Sequence, residues 1–308
     1  MVNGTGTDSL KNADSLVTTP ADSNYACDIA IGNGALTNVG ATVAQSYGAI
    51  AIGNNTTACI DSITIGGNST NTTSYGALMF GFNNSNSFAN GSIAIGANNT
   101  VSAFRALAIG NTITGSAQCS ISLGFSINNI GTNSIAIGCA ATGSSSGNNI
   151  SLGTNAQACG GGSNIAIGNN ACTTFLSENI AIAPNSFASG NGGVIAIGNG
   201  ARSGSGKLGV VAVGNSTCVN GNNGTAIGAN TKVCGVDNGT SVGYNSRACA
   251  NGAVALGNSV HATRANTVAS CQFEACVVGK GIVVTSPDGL TTLGIGIDNS
   301  GNIVTYTP

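Results

Sequence analysis

The chain has 308 residues, a net charge of −2, and charged side chains at only 6% of its positions. Eight Lys and Arg residues are too few for a phosphate-binding surface, which excludes nucleic acid as a partner. No segment approaches the roughly 18 consecutive apolar residues of a membrane span. Regularly spaced Ile, Leu and Val distinguish the chain from disordered sequences, so we expect a packed β-structure rich in turns.

A short motif repeats along most of the chain, and its clearest copy is Ser134-Ile135-Ala136-Ile137-Gly138. Most copies follow one another at 14 or 15 residues, and the exceptions are 21, 13 and 16. Ala183 is the only replacement of the final glycine. A fixed period of this length predicts a solenoid, in which each repeat is one coil. The glycine, or its replacement, falls at positions 32, 53, 66, 81, 96, 110, 124, 138, 153, 168, 183, 198, 214, 228, 243 and 257.

The residues before each glycine form three columns along the solenoid. Large apolar residues occupy the positions one and three before it, apart from Thr225 and Thr240. Residues two apart on a strand share a face, so we predict that these two columns fill the coil interior. The column between them is Ala, Ser or Thr in every coil but that of Met79, and we predict that it faces a second chain. This predicted interface column includes Ala94, Ala108, Ala136, Ala166, Ala181, Ala196, Ala212, Ala226 and Ala255.

Each coil has room for two short strands and two turns, because 14 or 15 extended residues span roughly 48 Å. The glycine is expected at a corner that needs an unusual backbone conformation. Small residues recur three and five places after it and predict a second strand with those residues inside. Examples are Ala156 with Ala158, Ala171 with Thr173, Thr217 with Val219, and Ser246 with Ala248.

Three segments are expected along the chain. Residues 1–26 lack the repeat and are interpreted as a flexible or docking tail. Residues 27–270 form the solenoid. Residues 271–308 contain strand and turn signals that predict a small β-meander, which we expect to cap the open end of the solenoid. Its predicted strands are 282–285, 291–297 and 302–306.

The spacing of the eleven cysteines permits disulfide bonds between adjacent coils. Cys234 and Cys249 occupy the same column in adjacent coils, which places their Cα atoms at ~5 Å, within reach of a disulfide. Cys159 and Cys172 also lie on adjacent coils. The alternative is that the cysteines are free thiols used as small residues. Metal binding is disfavoured because the chain has no CxxC motif or Cys/His pairing.

No constellation of catalytic residues is visible. The chain has one histidine, His261, and its ten acidic residues are scattered without a pair that recurs at coil spacing. The glycines follow the coil period and form neither a P-loop nor a dinucleotide-binding fingerprint. We therefore predict no catalytic, cofactor-binding or metal-binding residues, and no enzymatic activity.

The repeated motif resembles that of the YadA-like head domains of trimeric autotransporter adhesins. The matching copies are 133–138, 91–96 and 163–168, and the resemblance covers residues 28–270. It implies a left-handed parallel β-roll, a homotrimer and a role in adhesion. The chain departs from this family in its eleven cysteines, and its C-terminal hairpins look similar to the caps of phage and large-virus fibre proteins.

The sequence thus predicts an all-β, left-handed parallel β-roll of about sixteen coils that forms a homotrimer. The expected function is that of a non-enzymatic fibre or adhesin on a virion surface, or elsewhere outside the cell, attaching to a host-surface protein or glycan. One alternative is a filament or spacer subunit that assembles end to end without its own receptor. Another is the head of a bacterial trimeric autotransporter adhesin on a bacterial cell surface.

Overall fold

The computed structural model describes residues 2–3, 10–11, 28–37, 48–144, 146–271, 282–286, 290–298 and 300–306. Every regular element among these residues is a β-strand. The chain divides into two compact units, Met1–Ala269 and Ser270–Pro308. The first unit is a parallel β-solenoid, as the period of the sequence predicts.

The longer strand of each coil contains the repeated motif. Neighbouring copies pair in parallel and in register, so that Ile135 lies beside Ile150 and Ile137 beside Leu152. These strands belong to one sheet of 19 strands. They are Ile29–Ile31, Ile50–Ile52, Ile63–Gly67, Leu78–Phe82, Ile93–Ala97, Leu107–Asn111, Ile121–Phe125, Ile135–Cys139, Ile150–Leu152, Ile165–Ile167, Ile180–Ile182, Ile195–Ile197, Val211–Val213, Thr225–Ile227, Thr240–Val242, Val254–Leu256 and Val268–Ser270.

A shorter strand follows in each coil, and these strands form a second parallel sheet of 16 strands. The predicted coil of two strands and two turns is therefore confirmed. The shorter strands are Leu36–Thr37, Thr57–Ala58, Thr70–Asn71, Ser85–Asn86, Thr100–Val101, Thr114–Gly115, Asn128–Asn129, Thr142–Gly143, Gln157–Ala158, Cys172–Phe175, Phe187–Gly190, Arg202–Ser203, Cys218–Val219, Lys232–Val233, Arg247–Ala248 and His261–Ala262.

Small residues from both strands fill the interior of the solenoid. The predicted residues three and five places after the glycine are buried, as in Ala156 and Ala158. The column between the large apolar residues is buried too, so its prediction as an interface between chains is wrong. A coil this short has space for Ala, Ser, Thr and Val between its strands but not for two rows of Ile. The nine alanines are fully buried in a single chain: Ala94, Ala108, Ala136, Ala166, Ala181, Ala196, Ala212, Ala226 and Ala255.

The glycine column forms the corner of each coil, as predicted. Its glycines have φ angles from 118° at Gly257 to 142° at Gly110, and Ala183 has 96°. A Cβ atom at Gly110 would overlap the carbonyl oxygen of Gly124 in the next coil. Buried polar side chains bind the carbonyls of this column, and the Thr217 hydroxyl donates to Gly228 O at 2.7 Å. The column therefore needs glycine for its backbone conformation and for the close stacking of coils.

Asparagine is abundant because a tight turn follows the glycine. The residue two places after the glycine has a left-handed backbone conformation, which Asn tolerates better than most residues. Its amide also bonds the same residue of the next coil, as in Asn83 Nδ2 donating to Asn98 Oδ1 at 2.8 Å. Asparagines with positive φ at this position are Asn55, Asn68, Asn83, Asn98, Asn155, Asn170, Asn185, Asn230 and Asn245.

Two short strands belong to the segment interpreted as a tail. Val2–Asn3 pairs with Leu10–Lys11 in antiparallel register. Leu10–Lys11 also pairs in parallel with the first longer strand, where Leu10 lies beside Ile29. The other positions of residues 1–26, and with them most of the predicted tail, lie outside the described residues.

The second unit contains an antiparallel sheet of three strands, Ile282–Thr285, Thr292–Ile297 and Ile303–Tyr306, which confirms the predicted meander. Positions 287–289 and 299, which fall between these strands, lie outside the described residues. The sheet exposes several apolar side chains, among them Ile297 at 73% and Ile303 at 78%. Its predicted role as a cap of the solenoid stays a prediction.

Candidate functional site

The outer surface of the longer strands carries two rows of large apolar side chains, which we call the isoleucine face. These rows are the residues one and three places before each column glycine, and they point away from the coil interior. Within a single chain they are all partly exposed to solvent. Ile109, Ile137, Ile227 and Leu256 reach 37%, 36%, 42% and 40% exposure.

Register explains why the rows are continuous. Because neighbouring coils pair residue for residue, each Ile stacks on its counterpart in the next coil, as Ile165 does on Ile180. Side chains at equivalent places lie ~4.8 Å apart along the ladder. Each large side chain is therefore partly covered by its neighbours above and below, while its outer surface stays in contact with solvent.

Two exposed aromatic residues lie next to the isoleucine face in the sequence. Phe82 and Phe125 follow directly after the column glycine, at the ends of the strands Leu78–Phe82 and Ile121–Phe125. They are 54% and 55% exposed. No residue in the two rows is charged. A continuous, partly exposed apolar stripe without charges is typical of an interaction surface.

One predicted cysteine pair is bonded in the structure. Cys234 and Cys249 form a disulfide with a Cα–Cα distance of 4.8 Å. Both backbone N–H groups donate to the next coil, since Cys234 N bonds Ala248 O and Cys249 N bonds Ala262 O at 2.9 Å. The disulfide thus joins two coils that the ladder has already placed side by side.

The second predicted pair is not bonded, and Cys159 and Cys172 are both free thiols. Cys172 lies beside Gln157 in the ladder, so Cys159 is displaced from it by two residues. Burial raises the pKa of the Cys172 thiol to about 11, with a further contribution from nearby Cys159. Burial also raises the pKa of Cys159. Both groups are therefore protonated at neutral pH and poorly reactive as nucleophiles.

The remaining chemistry-bearing residues are dispersed. His261 is exposed on a short strand at the C-terminal end of the solenoid. Among the residues that the structure describes, no three His, Cys, Asp or Glu side chains come close enough to bind a metal ion. The same residues include no helix with the length and apolar character required to cross a membrane.

No protein-family model and no curated protein matches this chain. The structure nevertheless defines its class, which is that of parallel β-solenoid repeat proteins with a small antiparallel C-terminal sheet. The uncharged isoleucine face runs along the sheet of longer strands. Sequence reasoning identified its residues but placed them in the interior.

Proposed function

We propose that the chain is a non-enzymatic rod that assembles as a homotrimer through the isoleucine face. In this proposal the trimer is a fibre or adhesin on a virion surface, or elsewhere outside the cell, that mediates attachment to a host. The observation that carries the proposal is the apolar stripe along the whole solenoid, which a single chain leaves partly exposed. The head of a bacterial trimeric autotransporter adhesin is a variant of the same proposal.

The size of the stripe supports stable association. Full burial of an Ile side chain is worth about 1.5–3 kcal/mol, so covering the exposed third of Ile137 contributes about 0.5–1 kcal/mol. Ile137 is one of the four most exposed residues of the two rows, so thirty or so residues per chain give a gross gain of at most about 15–30 kcal/mol. Association costs roughly 4–15 kcal/mol in translational and rotational freedom. A gain near this upper bound would exceed that cost, which supports association through the stripe.

A closed ring of parallel chains is the arrangement that would bury the isoleucine face most completely. When chains lie parallel, each row meets a matching row along its full length, and a closed arrangement leaves no stripe uncovered. The number three is motivated by the resemblance of the repeat to YadA-like heads. The proposed left-handed winding of the coils is motivated by the same resemblance.

The Cys234–Cys249 disulfide supports a location outside reducing compartments, because disulfides form and persist in oxidising environments. It also fastens two coils near the C-terminal end of the solenoid. A surface rod exposed to proteases and changing solvent gains from such a fastening, since local opening of a coil is the first step of its degradation.

Sedimentation equilibrium of the full chain tests the assembly. We expect a trimeric mass for the wild type and a monomeric mass for a double variant, Ile109→Lys with Ile137→Lys, because two charges would be buried in the interface. The matched control is Thr114→Lys with Gln157→Lys, two exposed positions on the short strands, which should stay trimeric. Far-UV circular dichroism should show the same β-structure in all three proteins. A monomeric wild type would refute the proposal.

The alternative, a spacer that joins end to end, is favoured by a different observation. The C-terminal sheet exposes apolar side chains in all three strands, including Val283, Leu293 and Ile303. If this sheet joins one rod to the next, static light scattering should show masses that grow with concentration beyond a trimer, and Ile303→Lys should stop that growth. A concentration-independent mass, together with binding of the rod to host cells, would exclude the spacer.

A further inference from the structure

Three aromatic side chains gather on the surface of the solenoid. Tyr75, Phe88 and Phe104 are 44%, 69% and 50% exposed. They lie in three successive coils, each in the turn between a short strand and the next longer strand. They line a surface depression of about 280 Å³ together with Cys59, Thr72, Thr73 and Asn90.

Hydrogen bonds between coils hold the aromatic residues in position. The Tyr75 backbone N–H donates to Asn90 Oδ1 at 2.9 Å, and the Phe88 N–H donates to Thr73 Oγ1 at 2.9 Å. Gly91 N donates to Tyr75 O at 2.9 Å. The backbone of the site is therefore fixed before any ligand arrives, which lowers the entropic cost of binding.

Phe88 has a strained backbone conformation. Its φ is 56°, in the left-handed region where a bulky residue is strained. Gly160, at the same distance after its column glycine, also has positive φ without such strain. The turn therefore holds an exposed phenylalanine ring at the cost of backbone strain; because Phe175 has the same coil position and a φ of 74°, the strain by itself does not mark a ligand site.

The surroundings of the depression select the chemistry of its ligand. Two charged residues of opposite sign neighbour the lining in sequence, Arg105 next to Phe104 and Asp61 two residues from Cys59, and neither of them lines the depression. Thr72, Thr73 and Asn90, which carry hydroxyl or amide groups, line the depression together with the aromatic residues. A ligand with one apolar face and a rim of uncharged hydroxyl groups matches this arrangement, because aromatic rings cover the apolar face and polar groups bond the rim.

We propose that Tyr75, Phe88 and Phe104 form a binding site for a neutral saccharide, with a pyranose ring against the aromatic side chains. The volume of the depression lies just below the range of drug-sized pockets, so the site takes a single terminal sugar. This inference rests on the attachment function proposed above, for which it names the class of ligand. It concerns a turn region and does not depend on how many chains assemble.

Saturation-transfer NMR on the full chain tests the site with methyl glycosides of glucose, galactose, mannose and N-acetylglucosamine, and with sialic acid as a charged comparison. The informative variant is Phe88→Gly, which removes the ring and relieves the backbone. The matched control is Phe175→Gly, since Phe175 has the same coil position, a φ of 74° and 53% exposure. Both variants should therefore keep or raise the melting temperature.

We expect transfer to at least one neutral glycoside, weaker transfer to sialic acid, and about tenfold weaker binding by Phe88→Gly but not by Phe175→Gly. No transfer to any neutral glycoside, or equal binding by the two variants, would overturn the saccharide site while leaving the trimer intact. A change of mass in sedimentation for Phe88→Gly alone would also overturn it, because the cluster would then be a contact between copies. A monomeric wild type that binds sugar would refute only the assembly.

Discussion

Gly110→Ala tests whether the glycine column sets the distance between coils. Gly110 has a φ of 142°, and an added Cβ would overlap the carbonyl oxygen of Gly124. Because that oxygen belongs to the backbone, no side-chain rotation can relieve the overlap. The two coils must separate at this corner, or the substituted alanine must adopt a different φ and displace the strand that precedes it.

The expected destabilisation has two parts. The unfavourable backbone conformation costs about 1–3 kcal/mol for a residue with a Cβ. Separation of the coils weakens two or three ladder hydrogen bonds at about 1 kcal/mol each. We therefore expect Gly110→Ala to lower the free energy of unfolding by about 3–6 kcal/mol, which is a large fraction of the stability of a typical domain.

Two further variants separate the overlap from the backbone strain. Gly76→Ala also introduces a Cβ at positive φ, 62°, but no atom lies within 4 Å of it, so we expect a cost of only about 1–2 kcal/mol. Ala183→Gly restores glycine where the φ of 96° departs from the rest of the column. This change should stabilise the chain by about 1 kcal/mol, since it removes strain.

Urea denaturation followed by circular dichroism measures all three changes in proteins of equal oligomeric state. The expected order of midpoints is Ala183→Gly above wild type, then Gly76→Ala, then Gly110→Ala. If Gly110→Ala is no less stable than Gly76→Ala, the close approach of the glycine column to the next coil does not limit the stacking, and the reasoning is wrong.

Two other predictions follow from the burial of particular side chains. Ala136→Lys should unfold its coil and lower the free energy of unfolding by more than about 4 kcal/mol, because a charge enters the interior of a single chain. Circular dichroism and the melting temperature measure this effect. The control is Gln118→Lys, which changes an exposed position and should fold normally. Alkylation of Cys172 by iodoacetamide, followed by mass spectrometry, should be slower at pH 8 than that of exposed Cys119 and should keep accelerating up to a pH near its pKa of about 11. A folded Ala136→Lys chain would contradict the first prediction, and a Cys172 rate that levels off near pH 8 would contradict the second.

The sequence predicted the repeat and its register well, because both follow from spacing. Glycines at 14- or 15-residue steps place Ile135 beside Ile150 whatever the details of the coil. The inner and outer faces were reversed, since alternation shows which residues share a face but not which face is inside. The signal that distinguishes them was present: Ala156 and Ala158 predicted a small-residue interior for the second strand, and a thin interior fits the alanine column better than the isoleucines.

The aromatic cluster could not be predicted from the columns. Tyr75, Phe88 and Phe104 fall nine, seven and eight residues after their column glycines, so they share no column in the repeat. Only the geometry of the turns brings them together. A periodic pattern does not show which residues lie together when the turns differ in length. Turns of this kind form many of the binding sites in proteins with rigid scaffolds.

The stacking of coils also determines how the solenoid would respond to a pulling force. Each coil stores roughly 48 Å of chain in a step of ~4.8 Å, so a coil that detaches lengthens the chain about tenfold locally. Tension along the axis would detach coils one after another from an end. Each detachment would lengthen the chain and absorb mechanical work. The disulfide between Cys234 and Cys249 closes a loop with a sequence separation of 15, and it withholds that segment from extension.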